Sequence, residues 1–274
     1  MLPSLPFAIL PYPEIDPVIV SLGPVAIRWY GLAYAVGLLL GWRYVLRLNG
    51  GPAALLRKRQ VDDLLIWMVV GVVLGGRLGS VLFYNLPYYL ERPIEVLFVW
   101  QGGMSFHGGV LGVIVALLIY ARRLEVPLLR LADLVAPAIP IGLFFGRVAN
   151  FINAELYGRP SEVPWAMVFP TDPDRLPRHP SQLYEAGLEG ALLFVALAWL
   201  AWRTDAFRRP GLLSGVFLVG YAIVRGLVEL VREPDQQLGF FAADSTMGQW
   251  LSLPMLVGGL LLIWLAARRP SVKP

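Results

Sequence analysis

The chain has 274 residues, of which 57% are apolar and only 15% charged, with a mean hydropathy of +0.63. Soluble domains carry about 25% charged residues, so this composition points to a bilayer. The net charge of +4 does not argue for nucleic acid, because the basic residues fall in short clusters between apolar stretches, and the absence of cysteine excludes disulfides, thiolate metal sites and an intrinsic cysteine nucleophile.

The opening MLPSLPFAILPYPEIDPVIV lacks a basic region ahead of its apolar residues and is rich in proline. It reads as a retained interfacial segment rather than a cleaved signal. A helix crossing the hydrocarbon needs about 20 mostly apolar residues. Seven stretches qualify in chain order: Val25–Trp42, Leu64–Tyr84, Ser105–Ala121, Leu131–Phe151, Leu183–Trp202, Leu212–Val231 and Met247–Ala267. The expected fold is therefore all-α, a polytopic membrane protein of seven transmembrane helices forming one integral membrane domain over residues 1–274. Small residues four apart (Gly71 and Gly75, Gly108 and Gly112, Gly142 and Gly146, Gly211 and Gly215) would let helix backbones approach closely.

Basic residues near span ends give the direction. One set of loops holds Arg43, Arg47, Arg57, Lys58, Arg59, Arg122, Arg123, Arg130, Arg203, Arg208, Arg209, Arg268, Arg269 and Lys273; the other holds only Arg92, Arg159, Arg175, Arg178 and Arg232. This bias places the N-terminus outside and the C-terminus in the cytoplasm. The periplasmic side then carries two long segments, Ala154–Gln182 (a periplasmic loop) and Glu233–Thr246, and loops of that length are often functional.

Ionisable groups inside hydrocarbon cost about 2.5–3.5 kcal/mol each on insertion scales and so are rare. Here they are Arg77 in span two, His107 in span three, Arg147 with the polar Asn150 in span four, and Arg225 with Glu229 in span six. Tyr30 opens span one, and Tyr184 with Glu185 opens span five. By rise per residue, all sit in the outer half of the bilayer. Tyr221, Arg225 and Glu229 form one helical stripe with Arg232 a turn beyond. Arg147, Asn150 and Glu155 are expected on two turns of a neighbouring wall, and Gly108 and Gly109 are expected to leave space beside the His107 imidazole. Arginine grips phosphate bidentately and keeps its charge in a poor dielectric, so the cluster suits an anionic phospholipid head group. A neutral histidine nearby suits proton transfer. There is no Gly-x-Ser-x-Gly elbow, no HExxH and no carboxylate cluster suited to a metal; no metal site and no cofactor are expected. On chemistry alone a lipid-modifying enzyme, an anion transporter and a lipid-presenting scaffold stay open. The off-centre site and lack of an internal repeat disfavour the transporter.

At these residues the chain resembles the prolipoprotein diacylglyceryl transferase family over nearly its whole length. The resemblance rests on IRWYGLAY (Ile27–Tyr34), GGRLG (Gly75–Gly79), FYN (Phe83–Asn85), GGMSFHGG (Gly102–Gly109), GRVANFINAELYGRP (Gly146–Pro160), RHPSQLYE (Arg178–Glu185), the Tyr221-to-Glu229 stripe, REPD (Arg232–Asp235) and STMGQ (Ser245–Gln249). Ala149 and Ala154 stand where the family pattern has glycines. The resemblance implies transfer of a diacylglyceryl group from phosphatidylglycerol to the lipobox cysteine of a prolipoprotein signal peptide, forming a thioether and releasing glycerol phosphate, with membrane lipids around the enzyme and no nucleic acid involved. It further implies that Arg147 and Arg225 hold the phosphate, with Arg77, Arg232 and Tyr221 also at the substrate. His107 would accept the thiol proton, unless the leaving phosphate or a carboxylate–tyrosine pair does. Asn150 and Tyr30 would orient the head group, Glu155 and Glu229 would fix the arginines, and Gly158 would preserve the turn below the Gly146–Pro160 segment.

Overall fold

The computed structural model describes residues 10–23, 25–233 and 246–268. The first nine residues, Pro234, Asp235, Ser245, Arg269, Lys273 and most of the Glu233–Thr246 segment lie outside the described residues. The chain is mostly helical and divides into two compact units, Val45–Leu134 and the remainder formed by Met1–Tyr44 with Val135–Lys273.

In the larger unit, β-branched residues in VIVSL and VAIR favour extended backbone. They pair as an antiparallel hairpin, β1 (Val18–Leu22) with β2 (Val25–Arg28), turned at Gly23, whose φ of +60° suits a residue without Cβ. This corrects the expected start of the first span: Val25–Arg28 is strand, and helix α1 begins only at Trp29 and runs to Asn49.

In the smaller unit, α2 (Lys58–Phe83) packs on α4 (Phe106–Arg123), with the short α3 (Leu86–Glu91) between them in sequence. The expected glycine spacing sets this contact. A Cβ on Gly71 would meet the Gly112 carbonyl at 2.7 Å, and one on Gly79 would meet Gly108 Cα at the same distance, so the backbones touch with the helices running in opposite directions. Gly108 therefore serves helix packing, which corrects the expectation that it opens space beside His107. Arg77 is buried and staples the connection between these helices. Its Nε donates to Val96 O at 2.8 Å, Nη1 to Gly102 O at 2.6 Å and Gly103 O at 3.3 Å, and Nη2 to Glu95 O at 2.5 Å, with the guanidinium over the Tyr89 ring. Ser105 caps α4 by accepting from Gly108 N. Helix α5 (Leu128–Val135) follows.

The larger unit continues with α6 (Ile139–Ile152), which ends before Ala154, a residue at φ +54°. The segment to Gln182 is folded rather than a bare connector. It pairs β3 (Met167–Val168) with β4 (Pro177–Arg178), and it buries Phe169 and Ala154 with Phe151 against Tyr12, Tyr157 and Met167. Inside it Arg178 Nε and Nη2 grip the two oxygens of buried Asp172 at 2.6 and 3.1 Å, over the Tyr157 ring. These two strand pairs are minor additions to the all-α expectation. Next come α7 (Ser181–Glu185), a π-helical turn over Ala186–Leu192, and α8 (Leu193–Arg203). Helix α9 (Leu212–Val228) then packs on α10 (Met247–Arg268), where Gly215 and Gly259 allow close approach.

Among the described residues, five helical segments are long and apolar enough to cross a membrane: Lys58–Phe83, Phe106–Arg123, Leu128–Ile152, Ser181–Arg203 and Met247–Arg268. The sixth expected span is shorter than Leu212–Val231. Its helix stops at Val228, with Glu229 as its C-cap.

Candidate functional site

Three helical elements of the larger unit converge on one buried charge cluster. Helix α6 brings Arg147, the α7 end and the π turn bring Glu185 and Glu189, and α9 with its C-terminal extension brings Arg225, Glu229 and Arg232. Tight packing sets their spacing: a Cβ on Gly190, inside the π turn, would lie 2.7 Å from Phe144 Cβ and 2.8 Å from Phe144 Cα on α6. Such π turns recur at functional sites because they shift side chains out of the ordinary helical phase.

Glu185 is the hub. Its Oε2 lies 3.1 Å from Arg147 Nε, and its Oε1 lies 2.8 Å from Arg225 Nη1 and 3.8 Å from Arg232 Nη1. Glu189 bridges the same pair, 3.6 Å from Arg147 Nη2 and 3.8 Å from Arg225 Nη1. Glu229 pairs with Arg225 Nη2 and lies 3.5 Å from Arg232 Nη1. The carboxylates form the floor, with Glu185 and Glu189 side chains 0% exposed and Glu229 4%, whereas Arg147, Arg225 and Arg232 are 16%, 12% and 10% exposed. The arginine side chains are thus somewhat less buried than the carboxylates they pair with. Three cations and three anions share this space, which meets the requirement that buried charge be paired.

The α10 N-terminus closes the far side. Thr246 Oγ1 donates to Glu229 Oε2 at 2.7 Å, and Thr246 and Gln249 cap each other, Oγ1 accepting from Gln249 N and Gln249 Oε1 from Thr246 N. A Cβ on Gly248 would fall 2.5 Å from Glu229 Oε1 and 2.7 Å from its Cδ, so glycine is needed here for close approach. Arg159 donates through Nε to Arg232 O at 2.9 Å and through Nη2 to Glu229 O at 3.3 Å, closing the end of α9.

The predicted stripe on α9 is borne out as geometry, since Arg225 and Glu229 are paired, and Tyr221 lies within electrostatic reach of Glu189, Arg225 and Arg147. Asn150 is buried beside them on α6 and donates to Glu155 Oε1 at 2.7 Å. Two expectations change here. Glu155 is not on a helical wall, because α6 ends at Ile152; its backbone N folds back to Asn150 O at 3.0 Å, and its carboxylate faces Asn150 rather than fixing an arginine. Gly158 does not make a turn. It lies in extended contact, donating to His179 O at 2.8 Å and bridging to Arg232, and a Cβ there would sit 2.8 Å from His179 Cβ. Gln182 Nε2 donates to Glu155 O, and Ser181 Oγ to Leu156 O, so the Pro-Ser-Gln run ties α7 to the segment after α6. The Tyr30 and Tyr34 rings are tilted against each other with centroids 5.1 Å apart, and the Tyr34 phenol lies within electrostatic reach of Arg147 and Glu155. His179 Nδ1 lies 3.1 Å from the Tyr184 hydroxyl, and burial lowers its pKa from the ordinary histidine value.

His107 and Arg77 belong to the smaller unit. His107 is exposed in the first turn of α4 next to Phe106, and Arg77 spends its donors on the four carbonyls already described. Sequence reasoning missed Glu189 entirely and gave Glu185 no role. The usable signal was a pair of acids four residues apart in an otherwise apolar span, each as costly in hydrocarbon as the arginines. Among the described residues no group of three His, Asp or Glu side chains is arranged to hold a metal ion.

The family model described as prolipoprotein diacylglyceryl transferase matches residues 17–265. The chain is similar to proteins named phosphatidylglycerol–prolipoprotein diacylglyceryl transferase from several bacteria. The one from Azospirillum brasilense is 55% identical over 261 residues, covering 95% of this chain and 97% of the relative. That from Rhizobium meliloti (strain 1021) is 55% identical over 273 residues, covering 96% and 95%. That from Paramagnetospirillum magneticum (strain ATCC 700264 / AMB-1) is 56% identical over 262 residues, covering 95% and 97%.

Proposed function

The chain belongs to the prolipoprotein diacylglyceryl transferase family, and from that premise we propose that it moves the diacylglyceryl group of phosphatidylglycerol onto the cysteine thiol of a prolipoprotein lipobox. The observation that carries the reading is the cluster in which Arg147, Arg225 and Arg232 gather around buried Glu185, Glu189 and Glu229. Guanidinium is the group best suited to a phosphodiester in a poor dielectric.

In this reaction the thiolate sulfur forms a bond to the terminal glycerol carbon of the diacylglyceryl group. The carbon–oxygen bond to phosphate breaks, and its electron pair leaves with glycerol phosphate. Arg147 and Arg225 stabilise that developing charge where they already stand, so no reorganisation is needed at the moment of transfer. Arg232 and Tyr221 flank them, and Asn150 and Tyr30 orient the head group, with Glu155 holding the Asn150 amide. A thiol with a pKa of about 8.5 attacks only after losing its proton. His107 is the residue assigned to receive it, with the leaving phosphate or a carboxylate–tyrosine pair as alternatives. The chain's own lack of cysteine fits a nucleophile that arrives on the peptide.

The membrane reading is a bacterial inner-membrane protein of one integral membrane domain. It adds α1 and α9 to the five long apolar segments for seven spans, with the N-terminus and residues 154–182 in the periplasm and the C-terminus in the cytoplasm. The excess of arginine and lysine at the ends assigned to the cytoplasm supports it. Purified protein incubated with phosphatidylglycerol and a lipobox peptide should add one diacylglyceryl mass to the peptide's cysteine. An unmodified peptide that nevertheless binds the protein would instead indicate a lipid-presenting factor without catalysis.

A further inference from the structure

The six-member cluster holds two carboxylates that the proposed reaction does not use. Glu185 and Glu189 are 0% exposed, and each bridges the same two guanidinium groups, Arg147 from α6 and Arg225 from α9. Both Glu189 oxygens and Glu185 Oε2 are buried and accept no hydrogen bond among the described residues, so they act on the arginines by charge at 3.1 to 3.8 Å. Without them, two like charges would face each other in a space largely closed to water, where repulsion is poorly screened. Glu185 and Glu189 stand four residues apart and so share one side of the segment, with Gly190 of the π turn seated against Phe144.

We infer that Glu185 and Glu189 are positioning residues that hold Arg147 and Arg225 at one fixed separation for a single phosphodiester, at the expense of affinity for it. The three carboxylates offset the charge of the three arginines they pair with, which weakens the pull of Arg147, Arg225 and Arg232 on a phosphate. The cluster therefore trades attraction for geometry, which is the distribution that favours the transition state over the bound lipid. This inference rests on reading the cluster as the phosphate site.

The test uses the full-length protein in detergent–lipid micelles, with phosphatidylglycerol as the titrated probe and a lipobox peptide as acceptor. Glu189→Gln keeps shape and removes one negative charge. It should bind phosphatidylglycerol about three- to tenfold more tightly, because one arginine then seeks an anion, while kcat falls about 10- to 100-fold as the guanidinium pair loses its fixed geometry. Glu185→Gln should do the same more strongly. Glu185→Asp keeps the charge but shortens the reach, so kcat should fall with affinity unchanged. Should Glu185→Gln not fold, the Glu189→Gln and Glu185→Asp pair reads the same contrast. A role in packing alone gives a lower melting temperature and fewer active molecules at unchanged KM, and that result overturns the inference. Unchanged kcat in Glu189→Gln overturns it as well. Wild-type protein that binds phosphatidylglycerol but transfers nothing refutes the proposed reaction while the affinity shift is still readable. Wild-type protein that binds no phosphatidylglycerol overturns both.

Discussion

Gly248 separates geometry from charge in the cluster, because changing it alters no titratable group. In Gly248→Ala the new methyl would lie 2.5 Å from Glu229 Oε1, against a comfortable carbon–oxygen or carbon–carbon separation of about 3.5–4.0 Å. Glu229 must withdraw by about 1 Å, since the obstacle is the far end of a side chain and the α10 backbone is held by the Thr246–Gln249 caps. That movement loosens its pairs with Arg225 and Arg232. A displacement of this size can cost about 100-fold in rate. The stability cost should be small, about 1 kcal/mol, or 2–4 °C in melting temperature for a protein of this size. Gly258→Ala on the same helix is the control. Nothing lies within 4 Å of its Cβ position, so it should keep full activity and gain about 0.5–1 kcal/mol from helix propensity. The assay is transfer of diacylglycerol to a lipobox peptide, run beside thermal unfolding in detergent. Gly248→Ala with wild-type kcat, or with a rate loss matched by an equal loss of folded protein, would refute the reasoning.

Arg147→Ala should abolish transfer and lower stability by about 3–5 kcal/mol, because Glu189 is left buried with Arg225 alone at 3.8 Å; undiminished peptide lipidation would remove the phosphate clamp. Arg225→Lys should lower kcat at least tenfold even with charge kept, since one ammonium cannot span Glu185 and Glu229 as the planar fork does; transfer kinetics report it. His107→Gln should cut transfer about 100-fold and restore part of it at higher pH, where more peptide thiol is already ionised; near-normal rates at neutral pH exclude the imidazole as base. Burial would raise the Asp172 pKa, but hydrogen bonds from Arg178, Leu176 N and Asp174 N outweigh it and hold it below the usual carboxylate range. A group held low stabilises the fold above its unfolded pKa and loses that contribution as pH falls through the folded value. Residues 154–182 should therefore open to protease below about pH 4, and Asp172→Asn should be weaker at neutral pH and flat across that window.

The amino-acid pattern carried the local geometry well where one helix supplied all the information. The Tyr221-to-Glu229 stripe, with Arg232 a turn later, follows from helical periodicity alone, and the glycines four apart on α2 and α4 do meet. It failed where the outcome depended on a partner remote in sequence. Gly108 looked like free space beside His107 because the Gly75 and Gly79 backbone that fills it is some thirty residues away. Glu155 looked helical because nothing in FINAEL announces that Ala154 adopts φ +54°, which ends α6 and turns the carboxylate to Asn150. The family glycine at that position would have been the clue, since a left-handed backbone costs alanine more. Val25–Arg28 was assigned to a membrane helix because a short apolar run fits strand and helix alike, and the pairing with Val18–Leu22 decides it. Glu189 was passed over because its arginine partners, on α6 and α9, are remote in sequence.

The π turn has a consequence for how the chain tolerates change in length. A π segment holds one residue more than the α-helical stretch of the same number of turns, and each residue of an α-helix rotates the chain by about 100°. The span Ser181–Arg203 is thus two rods of different phase joined within Ala186–Leu192. The register of α7, which carries Glu185, and that of α8, which packs on α9, are therefore set separately. A codon lost from the joint would bring the rods into phase and leave α8 seated while swinging Glu185 aside, so sequence length through this stretch is as constrained as residue identity.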